Sequence, residues 1–244
     1  MELVRYLFTV SYDGSDYSGF QRQINANSIQ TEIEKTLKNM TRIELTIHSA
    51  GRTDKGVHAL NQTFHVDFPF EIDNFNIFIE GINKRLPSDI IIKKIKRVSN
   101  TFHARHNAKM RIYKYVIAKK PSNIYTQRFE VFVKDFNIEL AKKAASKFVG
   151  TKDFAGFAKS NINKETIRHI ESFEIKETKT HYYFTITGIS FLRYMVRSIM
   201  GTIIEIATNK KDIEVIDEIF ETKNRKLAGK TAPAKGLFLK SVIY

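Results

Sequence analysis

The sequence predicts an α/β (α+β) protein of two ferredoxin-like halves, each ordered β-α-β-β-α-β, whose antiparallel sheets flank a central basic cleft. Three observations lead there. Apolar residues alternate through several short segments and recur at helical spacing through others. The same element order occurs twice in 244 residues, a length that suits one large domain or two small ones. The net charge of +14 is lopsided: residues 1–105 carry +2 and residues 106–244 carry +12.

In the first half, residues 3–10 (LVRYLFTV) read as a buried strand. Asn27 and Ser28 open a helix whose apolar positions Ile29, Ile33, Leu37 and Met40 fall on one face. Residues 44–49 (ELTIHS) are expected as a second strand. Residues 61–68 (NQTFHVDF) alternate, with Phe64, Val66 and Phe68 together, and give a third. Asp73 is the expected N-cap of a helix through Ile77, Ile79, Ile82 and Leu86, which Pro87 ends. Residues 90–98 (IIIKKIKRV) close the unit as a strand, in the split arrangement called ferredoxin-like.

The second half repeats that order without sequence identity to the first. Residues 111–118 alternate as a strand, and residues 138–149 follow as a helix capped by Asn137. Residues 167–177 and 181–188 make a hairpin, residues 190–207 and 212–221 two helices, and residues 236–244 a closing strand. The boundary is expected near residue 105, giving domains 1–105 and 106–244.

Hydrophobic residues are 42% and charged residues 27%, an ordinary globular composition. There is no cysteine, which excludes disulfides, a thiolate nucleophile and Cys-ligated metal. No apolar run reaches the ~20 residues of a membrane span, and the N-terminus lacks a signal pattern. A cytoplasmic protein with no membrane contact is expected, and its basic excess favours a nucleic-acid partner.

The densest chemical signal is GRTDKGVHA, residues 51–59, a loop between two expected core strands. Gly51 and Gly56 permit unusual backbone or close approach, Arg52 and Lys55 suit phosphate or base, and Asp54 is the only acid there. The loop reads either as a catalytic loop or as a long turn in which Asp54 bonds backbone amides. Residues 12–23 (YDGSDYSGFQRQ) suit contacts to nucleotides, or else a connection anchored in the core by Tyr17 and Phe20. Residues 102–115 interleave His103, Arg105, His106, Lys109, Arg111 and Lys114 with Phe102, Tyr113 and Tyr115, which suits flipped or single-stranded nucleotides. His103 and His106 lack a convincing third ligand, so no metal is expected. Arg193 and Arg197 lie in an otherwise apolar helical stretch; Arg193 can reach water, and Arg197 then needs a partner, for which an acid at a cleft is one candidate. Residues 222–240 hold six basic side chains and no acid, either for phosphate contact or as a solvated loop.

In order, YDGSDYSGFQRQ with SIQTEIEKTL, GRTDKGVHA, NKRLPSDI, FHARHNA with RIYKY, GTKDFAGF, YMVRSIMGT and APAKGLFL resemble the tRNA pseudouridine synthase A family over almost the whole chain. The resemblance implies isomerisation of uridine to pseudouridine at tRNA positions 38, 39 and 40 in the anticodon stem-loop. It implies no cofactor and a homodimer. It makes Asp54 the nucleophile, Arg197 its ion-pair partner, and Tyr113 the residue that stacks on the base and is a candidate for moving the C5 proton. Leu237 would lie beneath the base and Arg52 would help flip the nucleotide; Lys55, His58 and Arg105 would contact substrate. Ser198 stands where many relatives have Asn, His106-Asn107 where Phe-Ser is common, and Lys55 where Ala is frequent. Alternatives are a pseudouridine synthase for another RNA position and a non-catalytic RNA-binding protein.

Overall fold

The structure, a computed structural model, describes residues 3–159 and 165–244. The chain divides into two compact units: Met1–Lys109 together with Leu239–Tyr244, and Met110–Phe238.

The first unit contains β1 (Val4–Tyr12), α1 (Ile29–Thr41), β2 (His48–Ser49), β3 (His58–Phe68), α2 (Phe75–Asn83) and β4 (Ile90–Arg97). Strand β1 lies between β3 and β4, antiparallel to both, and β2 pairs with β3. Alternation along β1 buries Tyr6, Phe8, Val10 and Tyr12, the period-2 outcome of a sheet with one face covered. Phe8 stacks on Phe64 at 5.0 Å between ring centres, and Phe68 meets Phe78 of α2 edge-on at 5.7 Å. Helix α1 starts where Ser28 accepts from the Thr31 amide, and it buries Ile29, Ile33 and Leu37. It stops at Arg42, left-handed at φ 64°, whose amide closes on the Lys38 carbonyl.

Two expectations for this unit need correcting. The second strand is only two residues long. Leu45 and Ile47 are buried as expected, but the Ile47 amide donates to the buried Glu34 of α1 at 3.1 Å instead of to a strand. The cap of α2 is Asn74, not Asp73: its side chain accepts from the Asn76 and Ile77 amides at 3.0 and 3.1 Å.

The second unit contains β5 (Met110–Ala118), β6 (Val131–Phe132), α3 (Ile138–Ser146), β7 (Gly150–Asp153), β8 (Ile167–Glu177), β9 (His181–Gly188), α4 (Met195–Ala207), α5 (Val215–Thr222) and the start of β10 (Leu237–Ile243). Its strand order is β5-β9-β8-β7, with antiparallel neighbours. The sheet is not wholly antiparallel as expected, because β6 runs parallel to β5. Strands β6 and β7 were not anticipated; two and four residues are too short to show a period. Phe148, Phe154 and Phe157 pack around Phe220 of α5.

The boundary falls at Lys109, and the last six residues join the first unit. Lys109 donates to the Ile243 carbonyl at 2.8 Å. The Tyr244 hydroxyl lies 2.6 Å from Thr63 Oγ1 and 2.9 Å from the Ala104 carbonyl it donates to, with its ring against Phe102. These contacts span up to 181 positions and leave no local trace in the sequence.

One buried histidine makes the first unit acid-sensitive. His65 packs between His48 and His103, at 4.9 and 4.7 Å between rings, and its Nδ1 accepts from the Ala104 amide at 3.1 Å. Burial first, then Arg5, His48 and His103, hold its pKa down to about 4, against a small opposing pull from Asp67. A folded-state pKa below the ordinary 6.5 means that the unfolded chain takes up a proton first as pH falls. Thermal stability is therefore expected to decline from about pH 6.5 to about pH 4. His65→Gln should flatten that decline; an unchanged pH profile would remove His65 as its cause.

Candidate active site

The loop bearing Asp54 lies in the first unit, between β2 and β3, and is pinned from behind. Ala50 donates to the Thr63 carbonyl at 2.8 Å, and Gln62 Nε2 donates to the Gly51 carbonyl at 2.8 Å. Thr53 is buried; its carbonyl accepts from the Phe20 amide and its hydroxyl meets the Tyr12 hydroxyl at 2.8 Å. Val57 turns back to the Asp54 carbonyl at 3.1 Å, and Gly56, at φ 76°, donates to the Tyr17 carbonyl. Arg52 and Lys55 are exposed, while Asp54 between them is half-buried. The loop thus presents one carboxylate between two cations on a backbone that has little freedom to move.

Residues 12–23 provide the backing. Tyr17 and Phe20 are buried at 4% and 0% exposure, which favours the core-anchored reading over direct nucleotide contact. Two glycines let this segment press on the Asp54 loop. A Cβ on Gly14 would lie 2.0 Å from the Val57 carbonyl oxygen. Gly19 is at φ +102°, and a Cβ there would lie 2.6 Å from the Thr53 carbonyl oxygen. Tyr17 donates to Asp89 at 2.7 Å, and burial together with that bond raises its pKa. The YDGSDYSGF, GRTDKGVHA and NKRLPSDI segments are thereby one packed assembly.

His58, expected at the substrate, is placed differently. Its ring is 1% exposed, and its Nδ1 accepts from the Gly14 amide at 3.1 Å. That position holds the backing segment and offers no face to a substrate. Arg105 is exposed in the turn after β4, where the flanking Ala104 is fully buried.

The second unit holds Tyr113, Arg197 and Leu237. Tyr113 on β5 is half-buried and meets Phe191 edge-on at 5.1 Å. Arg197 sits in the first turn of α4 and is clamped to residue 232 from both sides. The Ala232 amide donates to the Arg197 carbonyl at 2.9 Å, and Arg197 Nε donates to the Ala232 carbonyl at 2.8 Å. The guanidinium carbon lies 5.5 Å from the centre of the Tyr194 ring. Tyr194 itself is left-handed at φ 62°, an unusual conformation for an aromatic residue. Leu237 is 4% exposed at the start of β10. Just before it, Gly236 packs on the Tyr115 ring, and Tyr115 donates to the Pro233 carbonyl at 3.0 Å. Burial raises the Tyr115 pKa.

Sequence reasoning did not find the brace behind Arg197. A Cβ on Gly201 would lie 1.8 Å from the Lys230 carbonyl oxygen, and one on Gly229 would lie 2.7 Å from the Gly201 carbonyl. Thr202 accepts from the Gly229 amide at 2.9 Å. Arg225 spans the crossing, donating to Ser198 Oγ at 3.0 Å and Thr231 Oγ1 at 3.1 Å. Ser198, the position where Asn is common, is thus an acceptor for Arg225. The available signal was the pairing of two glycine-bearing motifs, YMVRSIMG and LAGKTAP, far apart in sequence.

The basic segment 222–240 divides on inspection. Lys223 pairs with Asp153 at 2.7 Å and Arg225 is turned inward, whereas Lys226, Lys230, Lys235 and Lys240 are exposed. Among the described residues, no group of three or more His, Asp or Glu side chains is arranged to hold a metal ion. No described helix is long and apolar enough to cross a membrane.

A profile of the family described as tRNA pseudouridine synthase matches residues 9–107 and 144–244. The chain is 40% identical to tRNA pseudouridine synthase A of Phytoplasma mali (strain AT) over 245 residues, covering all of both chains. It is 39% identical to the protein of that name from Streptococcus thermophilus (strain ATCC BAA-491 / LMD-9), over 99% of this chain and all of the relative. With the Streptococcus pneumoniae (strain Hungary19A-6) protein the identity is 38% over 99% of each.

Proposed function

The chain belongs to the tRNA pseudouridine synthase family and isomerises uridine to pseudouridine in tRNA, and we propose that its targets are positions 38, 39 and 40 of the anticodon stem-loop. The observation that carries this reading is end-to-end similarity to relatives named tRNA pseudouridine synthase A. We place the reaction on Asp54. The N1–C1′ bond breaks, the uracil turns, C5 joins C1′, the C5 proton leaves and N1 gains one. Asp54 attacks either sugar C1′, from which C5 then displaces it, or ring C6, from which it is eliminated after C5 has joined C1′, so that the carboxylate is regenerated. Its pinned loop supports that role, because a nucleophile must be held at a fixed approach.

Arg197 supplies the counter-charge that keeps the carboxylate ionised where water is excluded. Tyr113 stacks on the flipped base and takes part in removing the C5 proton, and Leu237 lies under the ring. Arg52 fills the space that the nucleotide leaves, and Lys55 and Arg105 contact the RNA. Flipping costs a few kcal/mol, and stacking on Tyr113 offsets part of it. The enzyme works in the cytoplasm as a homodimer, without a cofactor.

The test is tRNA carrying tritium at uracil C5, incubated with purified protein without added metal or nucleotide. Label should pass to water; its retention across several tRNAs with uridine at 38–40 would overturn the reading. Binding should weaken steeply with salt. Lys235→Ala should lower the magnitude of the log–log salt slope by about 1, whereas Lys223→Ala, whose lysine is already paired with Asp153, should leave it unchanged. Equal slopes for wild type and Lys235→Ala would place that lysine outside the interface.

A further inference from the structure

We propose that a cavity beside the start of α4 is a subsite for one backbone phosphodiester of the bound RNA, an inference that rests on the tRNA reading above. The cavity, in the second unit, has a volume of about 410 Å³ and is lined by Ala158, Lys159, Tyr194, Arg225 and Thr231. Two of these five are cations and none is an acid. Two further cations flank the Tyr194 ring: the Arg193 and Arg197 guanidinium carbons lie 5.1 and 5.5 Å from its centre. The lining itself therefore carries two positive groups and no negative one, which favours entry of an anion.

Arg225 carries the argument furthest. It is half-buried, and among the described residues it has no carboxylate partner. Its hydrogen bonds go to neutral oxygens only: Ser198 Oγ at 3.0 Å, Thr231 Oγ1 at 3.1 Å and the Gly229 carbonyl at 3.3 Å. Burial holds its pKa below the ordinary value, and Glu205 offsets this only through a longer-range attraction. A guanidinium carries five N–H groups, so the three bonds leave donors for a ligand. A desolvated cation without an anion is costly, and its Nε–H and remaining Nη1–H are left for charge-assisted bonds to phosphate oxygens. Lys159 is exposed at the same cavity, so an anion entering from solvent meets its ammonium first and the braced guanidinium second. The substrate of this protein is itself a string of phosphodiesters, which makes the RNA backbone the source of the anion.

The test is phosphate-ethylation interference. Transfer RNA ethylated at about one phosphate per molecule is partitioned on wild-type protein, Lys159→Ala and Arg225→Lys, with thermal midpoints checking that each variant folds. Wild type should reject molecules ethylated at a small set of phosphates. One of those signals should vanish in both variants, accompanied by a rise of about tenfold in Kd and in KM. Lys159→Ala removes an exposed charge and so reads the subsite without touching the brace, while Arg225→Lys keeps the charge and its thermal midpoint reports the brace bonds to Ser198, Thr231 and Gly229 that it loses. The same interference pattern in all three proteins would overturn the proposal. So would inorganic phosphate that binds the wild type tightly without displacing tRNA, since the cavity would then serve a free anion. Tritium release separates the two levels: wild-type protein that binds tRNA but releases no label would fault the catalytic reading and leave the subsite intact.

Discussion

Asp54→Asn is expected to abolish tritium release, lowering turnover by roughly 10⁴-fold or more, while the Kd for tRNA stays within about threefold of wild type. The substitution is nearly isosteric, and contacts made by the neighbouring residues help to fix the loop that carries it. Thr53 is held by Phe20 and Tyr12, Gly56 by Tyr17, and Gly51 by Gln62. The loop should therefore keep its shape, so that lost activity reports lost chemistry. No other acid lies on the loop to substitute for it. Turnover within tenfold of wild type would remove Asp54 from the reaction, and a parallel collapse of RNA binding would make it a binding residue.

With Arg197 in its proposed role as counter-charge to Asp54, Arg197→Met is expected to cost about 10²–10³ in turnover, the range for breaking a desolvated charge pair by removing one partner. The backbone half of the clamp to residue 232 survives, because the Ala232 amide still donates to the residue 197 carbonyl. The Nε bond to the Ala232 carbonyl, the contact with the Tyr194 ring and the charge are lost. The diagnostic readout is the acid limb of the pH–rate profile. Without its counter-charge the Asp54 carboxyl holds its proton more tightly, so the limb should move to higher pH. Arg197→Lys restores charge without the fork and should recover part of the rate and most of the pH shift. Lost rate with an unmoved limb would assign Arg197 to positioning alone.

Much of the fold was legible because its signals are local. Alternation placed β1, β3 and β5, and Ser28 and Asn137 marked helix starts that the structure confirms by their side-chain bonds. The errors arise where a distant partner intervenes. Residues 44–47 look like strand and are buried like strand, yet Glu34 takes the Ile47 amide. By sequence the closing strand ends the second half, but Tyr244 is tied to Thr63 and Ala104 of the first unit. The candidate site follows the same pattern. Asp54 stood out as a lone acid between cations, whereas His58, expected to contact substrate, is a buried acceptor for the Gly14 amide. The brace behind Arg197 was invisible because it is made of glycines and carbonyls, whose meaning exists only once Gly201 and Gly229 are in contact. Net charge was legible as a total but not in its use: within residues 222–240, Lys223 pairs with Asp153 and Arg225 turns inward to Ser198, while four other lysines face solvent.

The most direct test of the central claim is to map pseudouridine, nucleotide by nucleotide, in a tRNA transcript with uridines at 38, 39 and 40 and elsewhere, after incubation with the purified protein and with Asp54→Asn. Conversion confined to positions 38–40 by the wild type, and absent with the variant, is the predicted result. Conversion at other positions, or at 38–40 by the variant as well, would contradict it.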